Sequence, residues 1–167
     1  MKRRLTVLFA AMAAGIAMLV TPGAASASPA PYPAVQSQID EVLAETPGGV
    51  QTGPRTVEWN DGAVGMKFGI ESWEDCRAEQ VCFWEHDWFQ GRFVYINSSE
   101  CTNRTFDFKA WGFNDMTSSW RNNTSRNVYV FQHDALGGNR LWVEAPQQNA
   151  GALDPSIRDD ASSFYCV

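Results

Sequence analysis

The hydrophobic pattern changes character three times along the chain. Leu5 to Val20 is almost continuously apolar, with the basic Met1-Lys-Arg-Arg4 before it and the small residues Ala25-Ser26-Ala27 after it. That order of basic, apolar and small segments reads as a secretory signal peptide over residues 1–27. The apolar run is short for a membrane span and stops at Thr21-Pro22-Gly23. Next, Ile39, Val42 and Leu43 fall on one face of a short helix expected over Ser37 to Glu45, with Ser37 as its N-cap and Pro47-Gly48-Gly49 as its stop. Ser28 to Pro33, rich in proline and alanine, reads as an extended start.

From Val57 the period shortens to that of β-strands. Val57-Glu-Trp59 and Val64-Gly-Met-Lys-Phe68 flank Asn60-Asp61-Gly62, residue types that accept positive φ, so a β-hairpin is expected there. From Cys76 onward short β-rich segments alternate with Asn, Gly, Ser and Asp clusters, without helical periodicity, which is the pattern of a sandwich. Phe83, Phe89, Phe93, Trp111, Phe113, Trp120, Phe131, Trp142 and Phe164 are the expected core aromatics. The organisation is therefore a signal peptide at 1–27, an extension at 28–75 and an all-β domain at 76–167. The extension reads equally as a propeptide, a lid or an extra hairpin on the main sheet.

Within the β region the chain repeats itself. Val81-Cys-Phe-Trp-Glu-His-Asp-Trp-Phe-Gln-Gly91-Arg-Phe-Val-Tyr-Ile96 returns as Val128-Tyr-Val-Phe-Gln-His-Asp-Ala-Leu-Gly-Gly138-Asn-Arg-Leu-Trp-Val143. A second pair follows, Phe113-Asn-Asp-Met-Thr-Ser-Ser-Trp120 and Ile157-Arg-Asp-Asp-Ala-Ser-Ser-Phe164. Two tandem copies of one β-unit are the organising feature.

Composition narrows the chemistry. The formal net charge is −6, and loss of Lys2, Arg3 and Arg4 with the signal peptide would take it to −9. An acidic surface repels phosphate backbones and anionic lipid, which argues against nucleic-acid and membrane-surface binding. The four cysteines Cys76, Cys82, Cys101 and Cys166 all follow the signal peptide, and an even count in an exported chain reads as disulfides. Three pairings are open; the favoured one joins Cys76 to Cys82 and Cys101 to Cys166. Gly-x-Ser-x-Gly, His-Glu-x-x-His and phosphate-binding glycine loops are absent, so the chain is not expected to be an enzyme. His86-Asp87 and His133-Asp134 occupy equivalent repeat positions and read as local hairpin residues rather than as a metal or catalytic dyad.

Trp84-Glu85-x-x-x-Phe89-Gln90-Gly91 and Phe131-Gln132-x-x-x-Leu136-Gly137-Gly138 resemble the βγ-crystallin Greek-key motif, with Leu136 in place of an aromatic. The resemblance implies an all-β, βγ-crystallin-like sandwich of two Greek-key units, with Ser119 and Ser163 hydrogen-bonded to the folded hairpins. Asn114-Asp115-Met116-Thr117-Ser118-Ser119 further resembles that family's calcium motif. By that pattern calcium would be a structural cofactor, with Asp115 and Asp159 as carboxylate ligands, Ser118 and Ser162 as hydroxyl ligands, carbonyls at Met116 and Asp160, and contributions from Glu85 and Gln132. Arg158 stands where the second motif expects Asn or Asp.

With the Gln38-Ile39-Asp40 helix, Pro47-Gly48-Gly49 and the Val57-x-Trp59 hairpin, the whole chain resembles the secreted actinobacterial proteins grouped as peptidase inhibitor family I36, which include a metalloproteinase inhibitor of thermolysin-like enzymes. This implies an extracellular protease, a metalloprotease, as partner. The alternatives are a calcium-binding structural or stress protein and a killer-toxin-like antimicrobial protein. No inhibitory bond is assigned, because the Cys-Val dipeptide, Cys166-Val167, stands at the far end of the sequence.

Overall fold

A computed structural model describes residues 31–70, 72–102 and 104–167. The expected signal peptide, and residues 28–30 of the proline-alanine start, lie outside the described residues. The chain opens with helix α1 (Pro31–Glu45), followed by strands β1 (Val50–Gly53), β2 (Thr56–Trp59) and β3 (Val64–Ile70). The first repeat supplies β4 (Gln80–His86), β5 (Gln90–Asn97), β6 (Thr105–Asp107) and β7 (Ser119–Asn122). The second supplies β8 (Val128–His133), β9 (Gly137–Glu144), β10 (Gln148–Ala150) and β11 (Ser163–Cys166).

Helix α1 starts six residues before the expected Ser37. Pro31 and Pro33 occupy its first turn, where backbone N–H groups have no intrahelical acceptor and proline costs nothing in hydrogen bonding. Ser37 is accordingly not a cap; its hydroxyl donates back to the Ala34 carbonyl at 3.0 Å. Val35, Ile39 and Val42 form the buried stripe of the helix. The expected hairpin is present, with φ of 52°, 55° and 85° at Asn60, Asp61 and Gly62. Strand β1, which the sequence reading does not anticipate, pairs with β2.

The strands form two antiparallel sheets, ordered β1-β2-β3-β5-β4-β7-β10 and β6-β11-β8-β9. Each repeat keeps its first, second and fourth strands in its own sheet and sends its third to the other: β6 pairs with β11, and β10 with β7. This exchange is the Greek-key arrangement expected from the repeat, and it makes neither repeat complete alone. The extension is not set apart from it, since β3 pairs with β5 along Val64 to Ile70.

Alternation along β4 serves two cores. Phe83 points between the sheets, packing edge-on against Phe108 (4.8 Å between ring centres) and tilted against Phe164 (4.9 Å). Trp84 points the other way, stacking on Phe93 at 4.8 Å in a cluster with Phe89, Tyr95 and the Cys76–Cys82 bridge. The inter-sheet core also takes in Ile39, Val57, Trp59, Met66 and Phe68 of the extension. Phe131 and Trp142 depart from expectation and are only half-buried. Phe131 stacks on Tyr165 at 6.0 Å, on the face of the smaller sheet away from the buried Phe164, while Trp142, opposite Val130, packs against the rim of the inter-sheet core from the exposed strand β9. Both disulfides follow the favoured pairing, Cys76–Cys82 and Cys101–Cys166.

Candidate functional site

Two folded hairpins and two arches meet at one end of the sandwich. After β4 the chain turns through Asp87-Trp88-Phe89, with φ of 60° at Trp88 and 63° at Phe89; after β8 it repeats the turn at Ala135 (54°) and Leu136 (61°). Left-handed backbone at bulky residues is costly and must be held by its surroundings. The holding is the same in both repeats. Ser119 Oγ accepts the Phe89 N–H (3.1 Å) and donates to the His86 carbonyl (2.7 Å). Ser163 Oγ accepts the Leu136 N–H (2.9 Å) and donates to the His133 carbonyl (2.5 Å).

Glycine explains the histidines. A Cβ on Gly91 would sit 2.9 Å from His86 Cδ2, and one on Gly138 would sit 2.8 Å from His133 Cδ2, so each imidazole packs flat on a glycine at positive φ. The neighbouring aspartates turn elsewhere: Asp87 Oδ2 pairs with Arg158 Nη1 at 2.9 Å, and Asp134 pairs with Lys109. Neither His-Asp pair is arranged as a dyad.

The arches interlock reciprocally. Ser118 Oγ lies 2.9 Å from Asp159 Oδ1, and Ser162 Oγ lies 3.0 Å from Asp115 Oδ1, so each carboxylate meets the hydroxyl of the other arch. Backbone bonds lock the crossing, from Asp115 N to the Ala161 carbonyl (3.0 Å) and from Asp159 N to the Thr117 carbonyl (3.1 Å). Asp115 and Asp159 both adopt left-handed backbone, at φ of 54° and 55°. The structure therefore brings together the four side chains that the calcium reading singled out as carboxylate and hydroxyl ligands.

The remaining candidates are engaged differently. Glu85 turns its carboxylate to Arg92 Nε at 3.2 Å and approaches the first arch with its carbonyl, 2.8 Å from Ser118 Oγ. Met116 places its thioether against Arg92 Nη2 (2.8 Å). Gln132 Nε2 donates to Asp160 Oδ2 at 2.9 Å, which ties the second hairpin to the second arch through side chains.

The fit to a hard cation is divided. Ser118 Oγ faces two acceptor oxygens, the Glu85 carbonyl and Asp159 Oδ1, and its single proton serves only one of them. A divalent ion is the kind of group that reconciles three such oxygens. Against this, Arg158 lines the same open cleft of about 440 Å³ together with Glu85, Asp87, Ser118 and Asp159. Its guanidinium brings a positive charge into that cleft, which would weigh against a cation there. Around Asp115 and Ser162 the equivalent residue is Asn114, whose Nδ2 donates to Asp115 Oδ2 at 2.7 Å.

Two features of this end were not read from the sequence. Arg158 appears there as a defect in a calcium motif, whereas the structure makes it the partner of Asp87 and, through Nη2, a donor to the Leu153 carbonyl at 3.2 Å. Trp88, which is not among the expected core aromatics, is 69 % exposed. The signal for it lay in the repeat itself, which carries tryptophan in one copy and alanine in the other.

Three solved structures of related shape are a structure described for the evolution of the eye lens beta-gamma-crystallin domain fold (20 % identity, TM-score 0.49, covering 62 % of this chain and 96 % of that one), a betagamma-crystallin domain from Clostridium beijerinckii (17 %, 0.43, 52 % and 94 %) and the N-terminal domain of protein S (20 %, 0.43, 53 % and 94 %). No curated protein matches the chain. The family model of peptidase inhibitors, a group of inhibitors and not of enzymes, spans β4 to β9 and so includes both folded hairpins. The chain is a two-sheet Greek-key protein whose residues 70–143 match Peptidase inhibitor family I36.

Proposed function

We propose that the protein is a secreted protease inhibitor acting on extracellular metalloproteases. The match of residues 70–143 to the inhibitor family carries this reading. Physical support comes from rigidity. An inhibitor that fills a protease cleft loses affinity for every segment it must order on binding, and preorganised backbone lowers that cost. Both hairpins are held in one conformation by a buried serine beneath them, and bridges at Cys76–Cys82 and Cys101–Cys166 tie down the domain entrance and the end of β11. The inhibitor acts by occupying the cleft and keeping substrate out.

Tight-binding titration of a thermolysin-type metalloprotease with the chain from Ser28, followed by intact mass, tests the reading. Stoichiometric loss of activity is expected; unimpaired activity, or plain degradation of the added protein, would refute it.

A second reading, calcium binding that stabilises the fold, is favoured by the reciprocal contacts Ser118–Asp159 and Ser162–Asp115. Asp159 with Ser118, and Asp115 with Ser162, would each hold an ion, with carbonyls of the hairpins and arches, and each ion would neutralise the carboxylate of its pair. On this reading millimolar calcium raises the melting temperature and Asp115→Ala abolishes the rise, whereas an identical melting curve in chelator rules it out.

A further inference from the structure

Trp88 is placed where the fold itself has no use for a tryptophan. Its backbone sits at φ 60° and ψ 32°, a conformation disfavoured for large side chains. The second repeat makes the same turn with Ala135 at φ 54° and ψ 37°. The hairpin geometry therefore demands a left-handed residue and not an indole. The burial pattern agrees, since Trp88 is 69 % exposed while its neighbour Phe89 is buried.

The exposed ring is nevertheless held. Trp88 N–H donates to the Gly151 carbonyl at 2.5 Å. Gly151 packs against the six-membered ring of the indole, because a Cβ there would come within 2.9 Å of Trp88 Cε3 and 3.1 Å of Cζ3. On either side, Asp87 is tied to Arg158 and the Phe89 N–H to Ser119 Oγ. Trp73, also exposed, differs in lying under the Arg121 guanidinium at 3.9 Å. Among the described residues Trp88 has no such cover on its outer face. A large aromatic fixed in place, projecting from a rigid hairpin, with one face packed and the other open, is the kind of residue that dominates binding interfaces.

We propose that Trp88 is the anchor of the inhibitory surface, its indole entering a large apolar subsite of the protease cleft while the hairpin from His86 to Gly91 lies across the mouth. This rests on the inhibitor reading above and adds to it the contacting residue and the class of subsite. Preorganisation by Gly151 spares the ordering of a large side chain on binding.

The test compares wild type, Trp88→Ala, Trp88→Phe and Trp73→Ala, each checked for an unchanged melting curve, against a thermolysin-type metalloprotease and a chymotrypsin-type serine protease. Alanine is what the second repeat carries at this place, so the fold tolerates it. Expected is a loss of inhibition of about a hundredfold for Trp88→Ala, the scale of a hot-spot residue, with Trp88→Phe within about tenfold of wild type and Trp73→Ala within about threefold. If wild type inhibits and Trp88→Ala inhibits as well, the anchor assignment is overturned while the inhibitor reading stands. If wild type inhibits neither enzyme, the inhibitor reading falls and the anchor falls with it.

Discussion

Glu144, at the end of β9, is wholly buried, with Trp142 Nε1 donating to its Oε1 at 3.1 Å and, among the described residues, no partner for Oε2. Burial pushes its carboxyl well above the ordinary value of 4.5, and the Trp142 bond pulls only partly against it. The folded pKa is raised, so stability is complete below the ordinary carboxylate range and is lost as pH rises towards the folded value. Glu144→Gln keeps an acceptor for Trp142 and removes the titration. Its melting temperature should therefore overtake that of wild type on going from pH 4 to pH 8, by several degrees at the upper end; parallel pH profiles would show that Glu144 is not a buried neutral acid. Its burial was not legible in the sequence, where a lone glutamate after Trp142-Val143 reads as a solvated strand end. The serines were legible, because Ser119 and Ser163 recur at matching places in the paired segments Ser118-Ser119-Trp120 and Ser162-Ser163-Phe164, and a buried hydroxyl answers a turn whose geometry the glycine announces.

The hairpins, arches and bridges are the elements on which the site depends, and they differ in how they are secured. The Cys101–Cys166 bridge, with a separation of 65 residues, ties the loop after β5 to β11. In the chain-entropy treatment, closing such a loop contributes about 4 kcal/mol, against about 2 kcal/mol for the short Cys76–Cys82 loop. A Cys101→Ala/Cys166→Ala double variant should accordingly lose roughly twice the unfolding free energy of Cys76→Ala/Cys82→Ala in urea titration; equal losses would mean that local packing around the sulfurs outweighs chain entropy. The repeat made the paired hairpins and arches readable in advance, whereas the left-handed backbone of Asp115 and Asp159 within the arches came from the structure. It could not show that Arg158 would reach across to Asp87. Arch and hairpin are 71 residues apart in sequence, and only the strand exchange between sheets brings them together.

At the scale of the whole molecule the extension is part of the sandwich. Val64, Met66 and Phe68 of β3 are buried in the inter-sheet core, and α1 covers that end of the sheet with Val35, Ile39 and Val42. Gly65 is shaped to this arrangement, since a Cβ there would fall 2.3 Å from the Tyr95 ring, whose hydroxyl donates to Glu58 at 2.7 Å. A chain beginning at Ser72 would leave β5 as an open sheet edge beside exposed apolar surface, a known route to association. Such a chain should aggregate or melt at least about ten degrees lower, judged by gel filtration and near-ultraviolet circular dichroism. A monomer with an unshifted melting temperature would instead make the extension an accessory.

The sequence by itself determined the β-class, the two-fold repeat, the turn glycines and the serines beneath them, the hairpin at Asn60-Asp61-Gly62 and the disulfide framework up to a choice among three pairings. Each of these is a local pattern, set by side-chain period, by tolerance of positive φ or by cysteine count. The tertiary structure alone decided that the third strand of each repeat crosses sheets, that β3 joins β5, that Glu144 is sealed from water and that Phe131 and Trp142 are not. It also decided that Arg158 shares the arch cleft and that Trp88 stands outside the core, fixed on Gly151. Those outcomes depend on which surfaces meet after the chain has closed loops of many tens of residues. Hydrophobicity is non-directional, so the local pattern specifies that a residue seeks cover and leaves the choice of partner to the assembled fold.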